Sequence, residues 1–86
     1  SFGLVNRVVP LAELDAASAA LVQRLAAGPA QAHAGTKRLL GQSLHTLLAD
    51  QLRAEAQSFA HCSASGDFAE GVAAFIEKRK PAFKGH

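Results

Sequence analysis

The residues of this 86-residue chain that are best suited to chemistry lie near its C-terminus. Four of the nine Lys and Arg residues gather there beside two aromatic residues: Lys78, Arg79, Lys80 and Lys84, with Phe75 and Phe83. Cationic side chains bind phosphate and aromatic faces stack on heterocycles, so this combination suits a nucleotide. Cations at a helix C-terminus are also favoured by the helix dipole alone, which leaves a purely structural explanation open.

The other reactive side chains do not form a recognisable site. The four histidines lie on different predicted elements without metal-ligand spacing, which favours surface roles: His33, His45, His61 and His86. Cys62 is the single cysteine, so no internal disulfide can form. Its best interpretation is a small hydrophobic residue near a helix end. Helix N-termini and capping explain four of the seven carboxylates: Glu13, Asp15, Asp67 and Glu70. We therefore predict no catalytic residue and no metal site in this chain.

The elements that must position the basic tail are predicted to be helices. Residues 4–9 are rich in β-branched side chains and end at Pro10, which favours an extended stub or edge strand whose partners lie elsewhere. A chain that opens inside such a segment is expected to be a piece of a longer protein. Apolar residues then recur at helical spacing, and they predict helices over residues 11–27, 30–43 and 46–61.

The last predicted helix carries the tail. Asp67 fits an N-cap with Glu70 three residues later, the spacing of a capping box, and Pro81 ends the helix. Gly35 and Gly41 each cost about 1 kcal/mol in a helix interior, so the second helix is expected to be the weakest. The predicted fold class is mainly α, a short N-terminal extended stub followed by about four helices.

Composition narrows the possible partners. The net charge is +2, but the part before Lys78 holds five cations and seven anions, so the basicity is local to the tail. A local basic patch favours an anionic contact at one spot over a broad duplex-binding face. No apolar run approaches the roughly 20 residues of a membrane-spanning helix. The lone cysteine fits a reducing compartment, so a cytoplasmic location is expected.

Several segments together resemble a known family. They are residues 3–10 (GLVNRVVP), 25–29 (LAAGP), 36–40 (TKRLL) and 67–83 (DFAEGVAAFIEKRKPAF). In register over nearly the whole chain, they are similar to the C-terminal portion of the enoyl-CoA hydratase/isomerase, or crotonase, family. The last segment is the specific one, and the others are individually weak.

The resemblance implies a parent protein of α/β class with a ββα spiral core. Residues 1–10 would be the end of that truncated core, and residues 11–86 its C-terminal helical region for oligomerisation and coenzyme A contact. The oxyanion-hole amides and the acid/base glutamates would lie upstream, outside this chain. The parent would most often be a hydratase that adds water to a 2-enoyl thioester, and it would assemble as a trimer or a dimer of trimers.

The resemblance also assigns site residues. Phe59 and Phe75 match positions beside the adenine of coenzyme A, and Lys78 matches one beside phosphate. For Phe59, packing in its own helix is an equally good explanation. No prosthetic group is implied, since coenzyme A belongs to the substrate. The expected partners are the acyl-CoA substrate, the missing spiral core and further copies of the chain, with no nucleic acid and no membrane.

One alternative from another functional class stays open. The chain could be a small helical interaction module whose basic tail binds nucleic acid or an anionic surface. Salt-dependent binding that disappears with the tail cations would distinguish it from an acyl-CoA enzyme.

Overall fold

The structure is a computed structural model that describes residues 2–86. A single 3₁₀ turn, Leu11–Glu13, leads into the first of four α-helices. The helices α1 to α4 span Leu14–Ala26, Ala30–Gln42, Leu48–Ser63 and Gly66–Glu77. No strand forms within residues 2–86, and residues 2–10 precede the first helical turn as an irregular stub. The predicted fold class, a stub followed by four helices, is confirmed.

The stub does not become an edge strand within residues 2–86. Leu4 and Val8 remain almost fully exposed, and Pro10 keeps an extended backbone just before the 3₁₀ turn. A strand needs a partner for its backbone groups, and nothing in the described part of the chain supplies one. The β-branched residues therefore give extended backbone without a sheet.

Helix α1 stands apart from the other three. Its extensive contacts are with its own 3₁₀ turn, whereas α2 packs on α3 and α3 packs on α4. Consequently the apolar stripe predicted for this helix has little to pack against. Leu14, Leu21 and Leu25 remain 47%, 48% and 52% exposed.

A close crossing joins α2 to α3. Gly35 is buried, and a Cβ placed on it would lie 2.8 Å from the Oγ of Ser58. Near the other end of the pair, the side-chain amide of Gln51 donates to the carbonyl of Leu39 at 3.2 Å. A side chain at position 35 would therefore force Ser58 to shift.

Helix α4 begins two residues earlier than a cap at Asp67 would require. Its N-cap is Ser65, whose Oγ accepts a hydrogen bond from the amide of Phe68 at 3.1 Å and donates to the carbonyl of Cys62 at 2.6 Å. The prediction that Asp67 caps the helix is therefore wrong, and so is the capping box with Glu70. Both carboxylates lie inside the helix and are free for other partners.

The molecule is open. Among residues 2–86, Ala74 is the one apolar residue that is buried, at 1% exposure. The Cα radius of gyration is 16.3 Å, against about 12 Å for a globular chain of this length. The accessible surface is 7262 Å², against roughly 4,800 Å² for a globular protein of this mass. The helices form a layer whose apolar faces remain largely uncovered.

Candidate functional site

The site begins where α4 ends. Its last residue is Glu77, and Lys78 follows in the left-handed conformation, with φ 55° and ψ 41°. The amide of Arg79 then donates to the carbonyl of Ala74 at 3.0 Å, which closes the helix end. The helix therefore stops three residues before the predicted limit set by Pro81.

The backbone of Lys78 is strained. It is the one non-glycine residue with positive φ among residues 2–86. A side chain in this region costs on the order of 1–3 kcal/mol and persists only where the surrounding structure holds it. The neighbouring contacts must therefore be strong enough to keep Lys78 in place.

Arg79 supplies such contacts. Its Nη1 and Nη2 donate to the two carboxylate oxygens of Glu70 at 2.5 and 3.1 Å, and its Nε donates to the carboxylate of Glu77 at 2.5 Å. Hydrogen bonds from Arg79, and then from the amide of Ala82, lower the pKa of Glu70 from 4.5 to about 2. The same carboxylates raise the pKa of Arg79 above its ordinary value. Arg79 is thus occupied inside the chain rather than available to a ligand.

Asp67 binds the end of the tail. Its Oδ1 accepts from the amide of Lys84 at 2.7 Å and its Oδ2 from the amide of Gly85 at 2.8 Å. Its own amide donates to the carbonyl of His86 at 2.9 Å, and the residue is only 4% exposed. Residues 79–86, the C-terminal strap, therefore run back along α4 and are attached to it through Glu70 and Asp67.

The strap completes an apolar cleft. Phe83 lies beside Gly71, where a Cβ would be 3.6 Å from its ring. The cleft has a volume of about 360 Å³, and Phe83 forms part of its wall. The other apolar lining residues are Pro29, which precedes α2, and residues of α2, α3 and α4: Ala32, Cys62, Phe68, Gly71, Val72 and Phe75. Phe75 is 85% exposed there, so its ring is open to a ligand.

The three residues assigned from the resemblance occupy different parts of this region. Phe75 lines the cleft, and Phe59 lines a neighbouring groove on the α2 and α3 side. Phe68 connects the two, since its ring meets that of Phe59 edge to face with centroids 6.2 Å apart. Lys78 follows Phe75 by three residues and lies outside the lining of both depressions.

The cations of the tail differ in their availability. Arg79 is held by Glu70 and Glu77, whereas Lys78, Lys80 and Lys84 are exposed. No carboxylate within residues 2–86 forms a salt bridge with the ammonium of Lys78. The four cations of the tail thus divide into one arginine that is paired within the chain and three exposed lysines.

The remaining candidate side chains do not assemble. Across residues 2–86, no three His, Cys, Asp or Glu side chains gather as metal ligands. Cys62 is a half-buried free thiol in the cleft wall, consistent with its predicted role as a small hydrophobe near a helix end. No helix in the described part of the chain is long and apolar enough to cross a membrane.

Sequence comparison relates the whole chain to one family. Residues 1–86 match the family model described as enoyl-CoA hydratase/isomerase. A probable enoyl-CoA hydratase of Rhodobacter capsulatus is 39% identical over 83 residues, which cover 96% of this chain and 32% of that protein. One from Rhizobium meliloti is 37% identical over 82 residues, covering 95% of this chain and 32% of that protein.

Two solved structures with enoyl-CoA hydratase assignments superpose closely on this chain. A Streptomyces coelicolor A3(2) protein assigned as an enoyl-CoA hydratase superposes with a TM-score of 0.91 at 40% identity, covering 98% of this chain and 30% of that one. An enoyl-CoA hydratase subunit I from Geobacillus kaustophilus HTA426 gives 0.90 at 38% identity, covering 98% and 33%. The chain therefore spans about a third of the length of the curated relatives it matches.

Proposed function

The chain belongs to the enoyl-CoA hydratase/isomerase family, and on that premise we propose that it works as the helical C-terminal part of an acyl-CoA enzyme. The favoured reaction is addition of water across the double bond of a 2-enoyl thioester. Support comes from relatives named enoyl-CoA hydratase, each about three times as long as this chain. The open shape of the molecule fits a segment that packs against further protein.

The proposed role of this segment is to hold the nucleotide end of coenzyme A. Phe75 and Phe59 would contact the adenine, and Lys78 would bind a phosphate. The observation that carries the proposal is the end of α4, where an 85% exposed aromatic ring precedes an exposed ammonium by three residues. Stacking would cover the ring of Phe75, and a phosphate would neutralise Lys78.

The chemistry itself is proposed to lie in the rest of the protein. Hydration needs donors that stabilise the thioester oxyanion, and carboxylates that move protons between water and the α-carbon. In this chain Glu70 and Asp67 accept hydrogen bonds from the strap, and Glu77 accepts one from Arg79. The purified chain is accordingly expected not to hydrate crotonyl-CoA.

Assembly is the second proposed role. Apolar surface is available on the half-exposed stripe of α1 and on the uncovered rings near α4. The spiral core and further copies of the chain would cover it, and the copies would assemble as a trimer or a dimer of trimers. Residues 1–10 would belong to the end of that core. The alternative, a module whose basic tail binds nucleic acid or an anionic surface, loses support because Arg79 is engaged by two carboxylates.

Replacing Lys78 tests the nucleotide contact. In the full-length protein, Lys78→Ala is expected to raise the KM for acyl-CoA about three- to tenfold, because one charge-assisted phosphate contact is lost. The kcat should change little, since the contact lies far along the substrate from the thioester. Steady-state kinetics give both values. Lys37→Ala, which removes an exposed cation from α2, is the control, and an unchanged KM for Lys78→Ala would contradict the phosphate role.

A further inference from the structure

We propose that Glu70 and Arg79 are positioning residues for the nucleotide contact. Their ion pair holds Lys78 at the end of α4 and keeps the strap, with Phe83, against the cleft. The inference rests on the proposed function, because Phe75 and Lys78 are the groups that are positioned.

Arg79 bridges the chain on both sides of Lys78. One edge of its guanidinium binds Glu77, the residue just before Lys78, and its two Nη atoms bind Glu70 two helical turns earlier. Its amide closes the helix on Ala74. The left-handed residue thus lies between two neighbours that are both held to α4, so its backbone position is restricted.

Glu70 also fixes the strap. Besides the guanidinium, it accepts a hydrogen bond from the amide of Ala82 at 2.9 Å. Phe83 is the next residue, and the amides of Lys84 and Gly85 are bound by Asp67. The ring that completes the cleft therefore lies between two carboxylate attachments, and loss of Glu70 removes the one on its N-terminal side.

A direct role of Arg79 as a phosphate ligand makes the opposite prediction. Removing Glu70 would then release the guanidinium and strengthen phosphate binding, whereas removing Arg79 would weaken it. In the positioning role, loss of either partner frees the same backbone, so both changes weaken binding. Because the two residues share one ion pair, the effects of the two single changes should be less than additive in the double variant.

The test uses two substrates and three variants of the full-length protein. Glu70→Ala, Arg79→Ala and the double variant are assayed with an acyl-CoA and with the matching acyl-pantetheine thioester, which lacks the nucleotide. Each single change is expected to raise the KM for acyl-CoA about three- to tenfold, through the restored freedom of one backbone position. The kcat should stay within about twofold, and the KM for acyl-pantetheine should not move. If Glu70→Ala does not fold, Glu70→Gln takes its place in the assay, because the glutamine side chain keeps an acceptor for the amide of Ala82.

Asp50 and Arg53 provide the matched control. They form an exposed ion pair on α3 at 2.8 Å, with no bond to the strap. The double replacement Asp50→Ala, Arg53→Ala should leave the KM for both substrates unchanged. A rise in the KM for acyl-CoA equal to that of the Glu70 variant would show that any lost surface pair has this effect, and would overturn the proposal.

Four further results would also overturn it. A lower KM for Glu70→Ala together with a higher KM for Arg79→Ala would make Arg79 a phosphate ligand. Equal increases with acyl-pantetheine would indicate general disruption of the fold. A normal KM in both single variants, with a raised KM in Lys78→Ala, would reject the positioning role and leave the proposed function intact. If Lys78→Ala itself had no effect, the proposed function would fall and this inference with it.

Discussion

Glu70 connects three parts of the molecule through one carboxylate. It lies in the middle of α4, and it binds the guanidinium of Arg79 and the amide of Ala82. The bidentate geometry with arginine is the strongest form of such a pair, and a backbone donor on the same group adds to it. The pair is partly exposed to water, yet it holds the chain just after α4. Glu70 thus attaches the first part of the C-terminal strap to α4, and Asp67 attaches its end.

The acid titration of Glu70 reports whether this contact forms. Because its pKa is lowered from 4.5 to about 2, the stabilisation from the ionised group is complete above about pH 4.5 and is lost as the pH falls through about 2. Carboxyl carbon NMR of the full-length protein should show one glutamate titrating near the lower value. The amide of Ala82 should follow the same titration.

Glu70→Gln supplies the assignment for that experiment. The low-pH carboxyl signal should be absent from this variant, and the amide of Ala82 should no longer follow that titration. A Glu70 carboxyl that titrates near 4.5 would mean that the ion pair is not populated in solution.

At the scale of elements, apolar periodicity predicts where the helices lie. It does not predict where α4 ends and the chain turns back along it. The ends predicted for the second and third helices lie within two residues of those of α2 and α3, because apolar spacing marks the helices and Gly28-Pro29 marks the start of α2. The end of α4 was missed because a lysine, not a glycine, takes the left-handed position there. Asp67 and Glu70 looked like capping residues, since the true partners of their carboxylates lie 9 to 18 positions further on.

Gly35 illustrates a contact that local propensity cannot reveal. In sequence it weakens a helix, but in the structure it forms the crossing of α2 with Ser58 of α3. We expect Gly35→Ala to destabilise this helix pair by about 1–3 kcal/mol through overpacking, despite the better helix propensity of alanine. Amide hydrogen exchange of α2 and α3 in the full-length protein measures the effect.

Gly41 is the matched control on the same helix. A Cβ there meets nothing within 4 Å, so Gly41→Ala should stabilise α2 by up to about 1 kcal/mol. Adding Ser58→Ala to Gly35→Ala should recover much of the lost protection, because it removes the hydroxyl that the new methyl group meets. Slower exchange in Gly35→Ala alone would contradict the close crossing.

At the scale of the whole molecule, uncovered surface dominates. The accessible area exceeds that of a globular protein of this mass by roughly 2,400 Å², about three times what one partner buries in a standard interface. Sequence patterns predicted the apolar stripe of α1 but could not tell where this helix would lie. This helix makes no extensive contact with α2, α3 or α4, as expected for a helix whose covering surface belongs to other protein.

The isolated chain is therefore expected to self-associate or to rearrange its helices. Exposed apolar stripes of this extent are rarely stable as free surface in water. Sedimentation velocity over a range of concentrations should show species heavier than a monomer, or a frictional ratio below that of the open shape. A monodisperse monomer that keeps the open shape would contradict this expectation.

Position 78 has a consequence for protein engineering. Its left-handed backbone favours glycine, whereas its proposed task needs a long cationic side chain. A redesign that selects variants by melting temperature would accept glycine there, and a selection for substrate affinity at low concentration would reject it. Thermostability and catalytic efficiency thus select different residues at this one codon.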